Sequence, residues 1–490
     1  MHLFCPVRGD RLAARLLFCA SPLLAGCGLM PATSLAPPES PLLAAYVIVG
    51  EHGTAWARAI LPAGAPGLPA ATCPLVTIDG AVQRMVVRAH PATLAQRPTA
   101  SDAANSKPSV FPVLTCELSL PQNAGRATVG DIELPMPKPE PRRIVVVGDT
   151  GCRMKKADKA WQACRDEEQW PFRVVADSAA AMAPDLVIHV GDYHYRENPC
   201  PPDAAGCQGS PWGFGWDTWQ ADLFAPAAKL LAAAPWVVAR GNHEECRRAG
   251  QGWFRFLDTL PFAETRSCND PDNDRFGNFS PPYSVPLAQD LQLIVFDSAV
   301  AGHAPLDLAN ARDAHTFSQF RQQFARVDEL AGKAGVDSIF VNHHLIFGYA
   351  PDTKTGINGG SPAQLATMKS LHSLAYYPTA VKLALHGHVH LFEAINFSSD
   401  HPATIVSGMG GDDPDPNLPD PFPAAFGPAE GVTLERITHS NQFGFVVMDK
   451  IEDKREGSWQ ISAFDRHGTR KTTCILTGSK LHCDRTGLLK

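Results

Sequence analysis

Leu186-Val187-Ile188-His189-Val190-Gly191-Asp192-Tyr193-His194-Tyr195 is a strand-length, mostly apolar run that breaks at a glycine and then offers a carboxylate, an imidazole and two phenols. Four other places repeat the design. Gly148-Asp149-Thr150-Gly151 follows an apolar run at 144–147, and Gly241-Asn242-His243-Glu244 follows one at 236–239. Asn342-His343-His344 closes a run at 339–341, and His386-Gly387-His388-Val389-His390 closes one at 381–385. An open α/β sheet carries its site just outside the carboxyl ends of its strands, so the five clusters predict one shared site.

Taken singly, a Gly-Asp pair after a strand is ordinarily a turn, and a lone histidine is a hydrogen-bonded surface or core residue. Five clusters in this order, mixing carboxylate, imidazole and amide, fit a two-metal site. One carboxylate can bridge two cations about 3.5–4 Å apart while the other ligands complete each, the geometry used for in-line displacement at phosphorus. Further strands are expected at 291–296, 404–407 and 443–448, and helices at 217–234, 313–334 and 362–376, an alternation that reads as α/β.

The order resembles the calcineurin-like metallophosphoesterase pattern across residues 143–392. The resemblance implies the superfamily's fold, a β-sandwich flanked by helices, for a catalytic domain at 143–470. Its first cluster usually reads Asp-x-His, with the His on the first metal; here position 151 is Gly. Tyr195 stands three residues after Asp192, and this Asp-x-x-Tyr spacing resembles the purple acid phosphatase variant. A phenol of pKa about 10 binds as phenolate only to a strong Lewis acid, so the resemblance implies Fe(III) there, with a divalent Fe, Zn or Mn partner. The alternative for Tyr195 is an aromatic packed on a loop.

Carried over residue by residue, the resemblance gives metal one Asp149, Asp192, Tyr195 and His390. Metal two takes Asp192, Asn242, His388 and one histidine of the 343/344 tandem. His343 fits the family's His-x-Pro with Leu345 at the Pro position, whereas counting from Val341 selects His344. His243 is the expected catalytic residue, as general acid or as stabiliser of the departing oxygen. Glu244 either orients its ring or is an exposed helix-start acid, and His194 and His386 are expected to be structural. Residues 411–417, rich in Asp and Pro, lack EF-hand spacing and read as a solvated loop. The implied reaction is hydrolysis of a phosphate ester by a metal-bound hydroxide. Phosphodiester hydrolysis, or a surface binding protein on an inactive scaffold, are the alternatives.

Arg8, Arg11 and Arg15 precede an apolar run at 16–24, the order of a secretory signal. Leu24-Ala25-Gly26-Cys27 resembles the bacterial lipobox, which implies cleavage after 26 and a lipid on Cys27. Gly28 then implies the outer membrane if the source is Gram-negative, and otherwise a periplasmic or cell-surface lipoprotein. Removing residues 1–26 takes away those three arginines and Asp10, which moves the formal net charge from −7 to −9. No nucleic-acid surface is expected of so acidic a chain, and membrane contact is expected only through the lipid. Thirteen cysteines become ten without Cys5, Cys19 and Cys27. They fall as neighbours, Cys73/Cys116, Cys152/Cys164, Cys200/Cys207, Cys246/Cys268 and Cys474/Cys483, which suits five local bridges although sequence does not fix connectivity. A Pro-rich tether at 27–43, a small β-sandwich at 44–134, a proline linker at 135–142 and a C-terminal tail at 471–490 complete the expected organisation.

Overall fold

The valines and isoleucines of Arg143–Val147 alternate between two cores: Val145 and Val147 face one apolar cluster, and Ile144 and Val146 face another. A β-branched strand buried on both faces belongs inside a layered sheet. In the computed structural model, which describes residues 42–64, 71–97, 105–302, 304–352, 356–423, 426–452 and 458–490, this strand lies inside an eleven-stranded sheet, beside its central strand. It pairs in parallel with Leu186–His189 and antiparallel with Gly444–Lys450. The candidate signal at 1–26, Cys27 and nearly all of the tether lie outside the described residues.

An eight-stranded sheet faces the first, with Leu291–Phe296, Asp337–Asn342, Val381–His386 and Ala403–Ser407 running in parallel at its centre. Ile188, Val237, Leu293, Val341, Leu385 and Ile405 interdigitate between the sheets. Helix Phe172–Ala181 covers the outer face of the first sheet, and helices Ala311–Ala331 and Pro362–His372 cover that of the second. The expected α/β sandwich flanked by helices is therefore the fold observed. The single helix expected at 217–234 is instead broken into Trp216–Trp219, a π turn at Gln220–Phe224 and Ala228–Ala233, with Pro226 between the last two.

Apart from a 3₁₀ turn at Glu51–Gly53, the regular elements among the described residues of 44–134 are β-strands, and hydrogen bonding does not stop at 135–142. Ala44–Val49 pairs in parallel with Trp236–Val238, so Ala55–Pro62, Val113–Leu120 and Val86–Ala89 extend the large sheet. The four-stranded sheet of Leu75–Ile78, Ala81–Arg84, Ala127–Val129 and Ile132–Leu134 closes a separate core. Asp79 and Gly80, with φ of 48° and 87°, make the expected tight turn of its hairpin. Buried Arg58 and Arg88 tie this region to the rest by donating to the carbonyls of Phe254, Phe256 and Asp258. All five neighbouring cysteine pairs are disulfides, and the tail at 471–490 contributes edge strands cross-linked by Cys474–Cys483.

Candidate metal centre

Register aligns Val147 with His189 and His189 with Val238, so the loops carrying Asp149, Asp192 and Asn242 leave one edge together. Asn342 and His386 end strands of the facing sheet and bring His343, His388 and His390 to the same place. Asp149, Asp192 and His388 adopt φ of 56°, 55° and 72°, a left-handed conformation that non-glycine residues seldom take. Cross-bonds hold them there: Asp149 N donates to Gly191 O at 3.0 Å, Thr150 N to Asp192 O at 3.0 Å, and His388 N to the Asp149 carboxylate at 3.0 and 3.1 Å.

Seven expected ligands converge in two groups. Tyr195 Oη lies 3.0 Å from Asp149 Oδ1, 3.0 Å from Asp192 Oδ2 and 3.1 Å from His390 Nε2. Asn242 Oδ1 lies 3.1 Å from His343 Nε2 and 3.0 Å from His388 Nδ1. Asp192 Oδ2 belongs to both groups, since it is also 3.1 Å from His343 Nε2. Both histidines of the tandem reach the site: His343 Nδ1 is tied to Val190 O at 2.9 Å, which turns Nε2 to Asp192 and Asn242, and His343, His344 and His388 also form a group that could hold an ion. His344 Nδ1 is held by Ser298 Oγ at 3.0 Å, and its ring packs on His388 at the cavity wall.

The electrostatics fit cations. Burial and Asp192 push the Asp149 carboxyl well above the usual range. Burial also opposes charge on Asp192, but His343, His243 and Arg248 outweigh it and hold that carboxyl well below. Tyr195 is pushed up by burial and then by Asp149 and Asp192. Opposed carboxylates, a phenol between them, and imidazoles whose second nitrogen is tied to a carbonyl make a His/Asp donor set that could hold metal ions. Gly151 shows why a tyrosine stands where a histidine is usual. A Cβ there would lie 2.7 Å from Tyr195 N and 2.9 Å from its ring, so residue 151 and the Tyr195 side chain compete for one space.

His243 lines a cavity of about 530 Å³ together with Tyr195, Asn242, His388 and His390. Its partners are Glu197 and Arg248, neither of which any sequence motif pointed to. Glu197 Oε1 is 2.9 Å from His243 Nδ1, and Arg248 Nη2 lies over the ring, 2.7 Å from Nδ1 and 2.6 Å from Nε2. Burial and then Arg248 lower the imidazole pKa to about 3. Glu244 neither orients that ring nor is exposed. It is fully buried and accepts four backbone N–H bonds, from Asp192 (3.1 Å), Tyr193 (2.8 Å), His194 (3.2 Å) and Gly241 (3.1 Å), a strut beneath the Asp192 loop. His194 packs among Phe214 and Trp219, and His386 Nδ1 bonds Asn342 O at 2.9 Å; neither joins the two groups.

Segment 411–417 is a loop, as expected, but only partly solvated: Pro414, Pro416 and Asn417 are exposed, while its acids turn inward. Asp415 Oδ2 accepts from His390 N at 2.9 Å, Asp413 O lies 2.7 Å from His390 Nδ1, and Asp412 is fully buried with its N–H on Asp149 O at 2.9 Å. Arg153, also missed, pairs with Asp412 and reaches the cavity. Asp-Pro repeats signal a turn-rich loop, and no local pattern tells that such a loop folds back over a site.

The calcineurin-like phosphoesterase pattern matches residues 142–392, and the chain belongs to that family. Among solved structures it is similar to one described as PhoD, at 12% identity and a TM-score of 0.52, over 90% of this chain and 92% of that one. It is also similar to a purple acid phosphatase isolated from yellow lupin (Lupinus luteus) seeds, at 14% identity and a TM-score of 0.49, over 91% and 74%. Among curated proteins, none matches it.

Proposed function

We propose that this chain is an exported dimetal hydrolase of phosphate esters, a phosphomonoesterase of the purple acid phosphatase kind. The observation that carries the reading is Asp192 Oδ2, 3.0 Å from Tyr195 Oη on one side and 3.1 Å from His343 Nε2 on the other. A single carboxylate so placed suits a bridge between two ions. Asp149, Asp192, Tyr195 and His390 would hold the first, and Asp192, Asn242, His343 and His388 the second. Fe(III) is assigned to the tyrosine site because a phenol pushed up by burial and two carboxylates yields its proton only to a strong Lewis acid; the partner is a divalent Fe, Zn or Mn. When bound, two such cations neutralise phosphate oxygens and lower the pKa of water to about 7.

The chain's own residues orient the ester. Burial and Arg248 favour the neutral form of His243, and the ring, held between Arg248 and Glu197 at the cavity wall, is placed to contact the departing oxygen. Arg153 and Lys155 also reach the cavity, each paired with an acid, Asp412 and Asp158. Five disulfides support export to an oxidising compartment, and anchoring through a lipid on Cys27 is part of the proposal. The test is turnover of p-nitrophenyl phosphate against its bis ester, joined to the visible spectrum of iron-loaded protein. A phenolate-to-iron band is expected in wild type and in Tyr193→Phe, whose hydroxyl is occupied by Ala239 O at 2.9 Å, and its loss in Tyr195→Phe. A colourless wild type, or a band surviving Tyr195→Phe, returns the chain to the general phosphoesterase class.

A further inference from the structure

The pair Arg153–Asp412 sits beside the Tyr195 group without belonging to it. Arg153 Nε lies 3.1 and 3.0 Å from the two Asp412 oxygens, and its Nη2 lies 2.5 Å from Oδ2. The guanidinium carbon stands 5.4 Å from the centre of the Tyr195 ring, and Nη2 is 3.3 and 3.4 Å from the His390 ring nitrogens. Asp412 Oδ2 is 3.4 Å from His390 Nε2, the nitrogen turned to Tyr195. Opposite charges are thus pressed against two donors of one group, Asp412 fully buried and Arg153 partly exposed at the cavity wall. Asp158 lies 3.7 Å from Arg153, and Asp413 also feels the arginine's charge.

We infer that Arg153 and Asp412 are positioning residues that set the oxidation-state preference of iron at the Tyr195 site; the inference rests on the reading of Tyr195 as an iron ligand. Reduction of Fe(III) by one electron removes one positive charge from that site. A neighbouring cation favours the reduced ion and a neighbouring anion the oxidised one, and both effects are strong where water is excluded. The two residues therefore act in opposite directions, and their pairing holds the potential between extremes.

The experiment is a mediated spectroelectrochemical titration of the iron-loaded full chain, following the phenolate-to-iron band, with metal content measured for each variant. Arg153→Gln should move the midpoint negative, Asp412→Asn should move it positive, and the double variant should return close to wild type. Arg153→Lys, which keeps the charge, should stay near wild type and separates a charge effect from damage to the loop. Unmoved midpoints, or single variants shifting in the same direction, would overturn the inference while leaving a coloured wild type as support for the tyrosine ligand. A wild type without any band would overturn both.

Discussion

Glu244→Gln tests whether the site is held up from beneath. Oε2 accepts from Asp192 N and Gly241 N, and Oε1 from Tyr193 N and His194 N. Whichever way the amide of glutamine turns, its NH2 replaces one oxygen and faces two buried N–H groups. Leaving a buried donor unsatisfied costs about 1–3 kcal/mol, so the variant should lose about 2–6 kcal/mol. Against a typical total of about 5–15 kcal/mol, that is a large share. The assay is guanidinium unfolding of metal-free and metal-loaded protein, read by tryptophan fluorescence, with Glu133→Gln as an exposed control paired only at the surface with Arg126. Metal retention should fall in step, because the backbone that aims Asp192 is what the strut fixes. If Glu244→Gln unfolds at the same denaturant concentration as wild type, the strut argument is wrong.

Gly151→Ala should weaken or abolish the visible band, since its methyl would lie 2.7 Å from Tyr195 N; an unchanged spectrum would show that residue 151 and Tyr195 do not compete. His243→Asn should lower kcat by about 100- to 1000-fold, the usual cost of one preorganised donor. It should leave the acid limb of the pH–rate profile in place, because His243 titrates at about 3. That folded pKa lies below the unfolded value of about 6.5, so the unfolded chain binds more protons between the two and stability falls as pH drops through this window. His243→Asn should flatten that slope in metal-free protein, and an unaltered slope would locate it elsewhere. Cys27→Ser should release the chain from membranes, and unchanged partitioning would remove lipidation from the account.

Strands and ligand clusters were legible because each is local: an apolar run, a glycine, then the donor. What His343 and His344 each face was not, since it depends on distant partners: Val190 O for His343, 153 residues away, and Ser298 Oγ for His344, 46 residues away. Glu197 and Arg248 escaped for the same reason, being 51 residues apart and joined only when two loops meet at His243. Helix Phe172–Ala181 is short, has no side-chain cap and ends in a run of alanines, so its ends carry no signal, and helix Gly250–Phe256 carries two glycines and lies wholly buried, without a polar outer face. The apparent boundary at 135–142 reflected real prolines. Pairing of Ala44–Val49 with Trp236–Val238 depends on register that composition does not carry.

The most direct test of the central claim is metal stoichiometry by elemental analysis on protein purified without chelator, for wild type, Asp192→Ala and His388→Ala. Asp192 Oδ2 touches both donor groups, whereas His388 Nδ1 reaches Asn242 in the second. The account predicts two ions per wild-type chain, loss of both with Asp192→Ala, and loss chiefly of the second with His388→Ala. Two tightly held ions and full turnover in Asp192→Ala would contradict it.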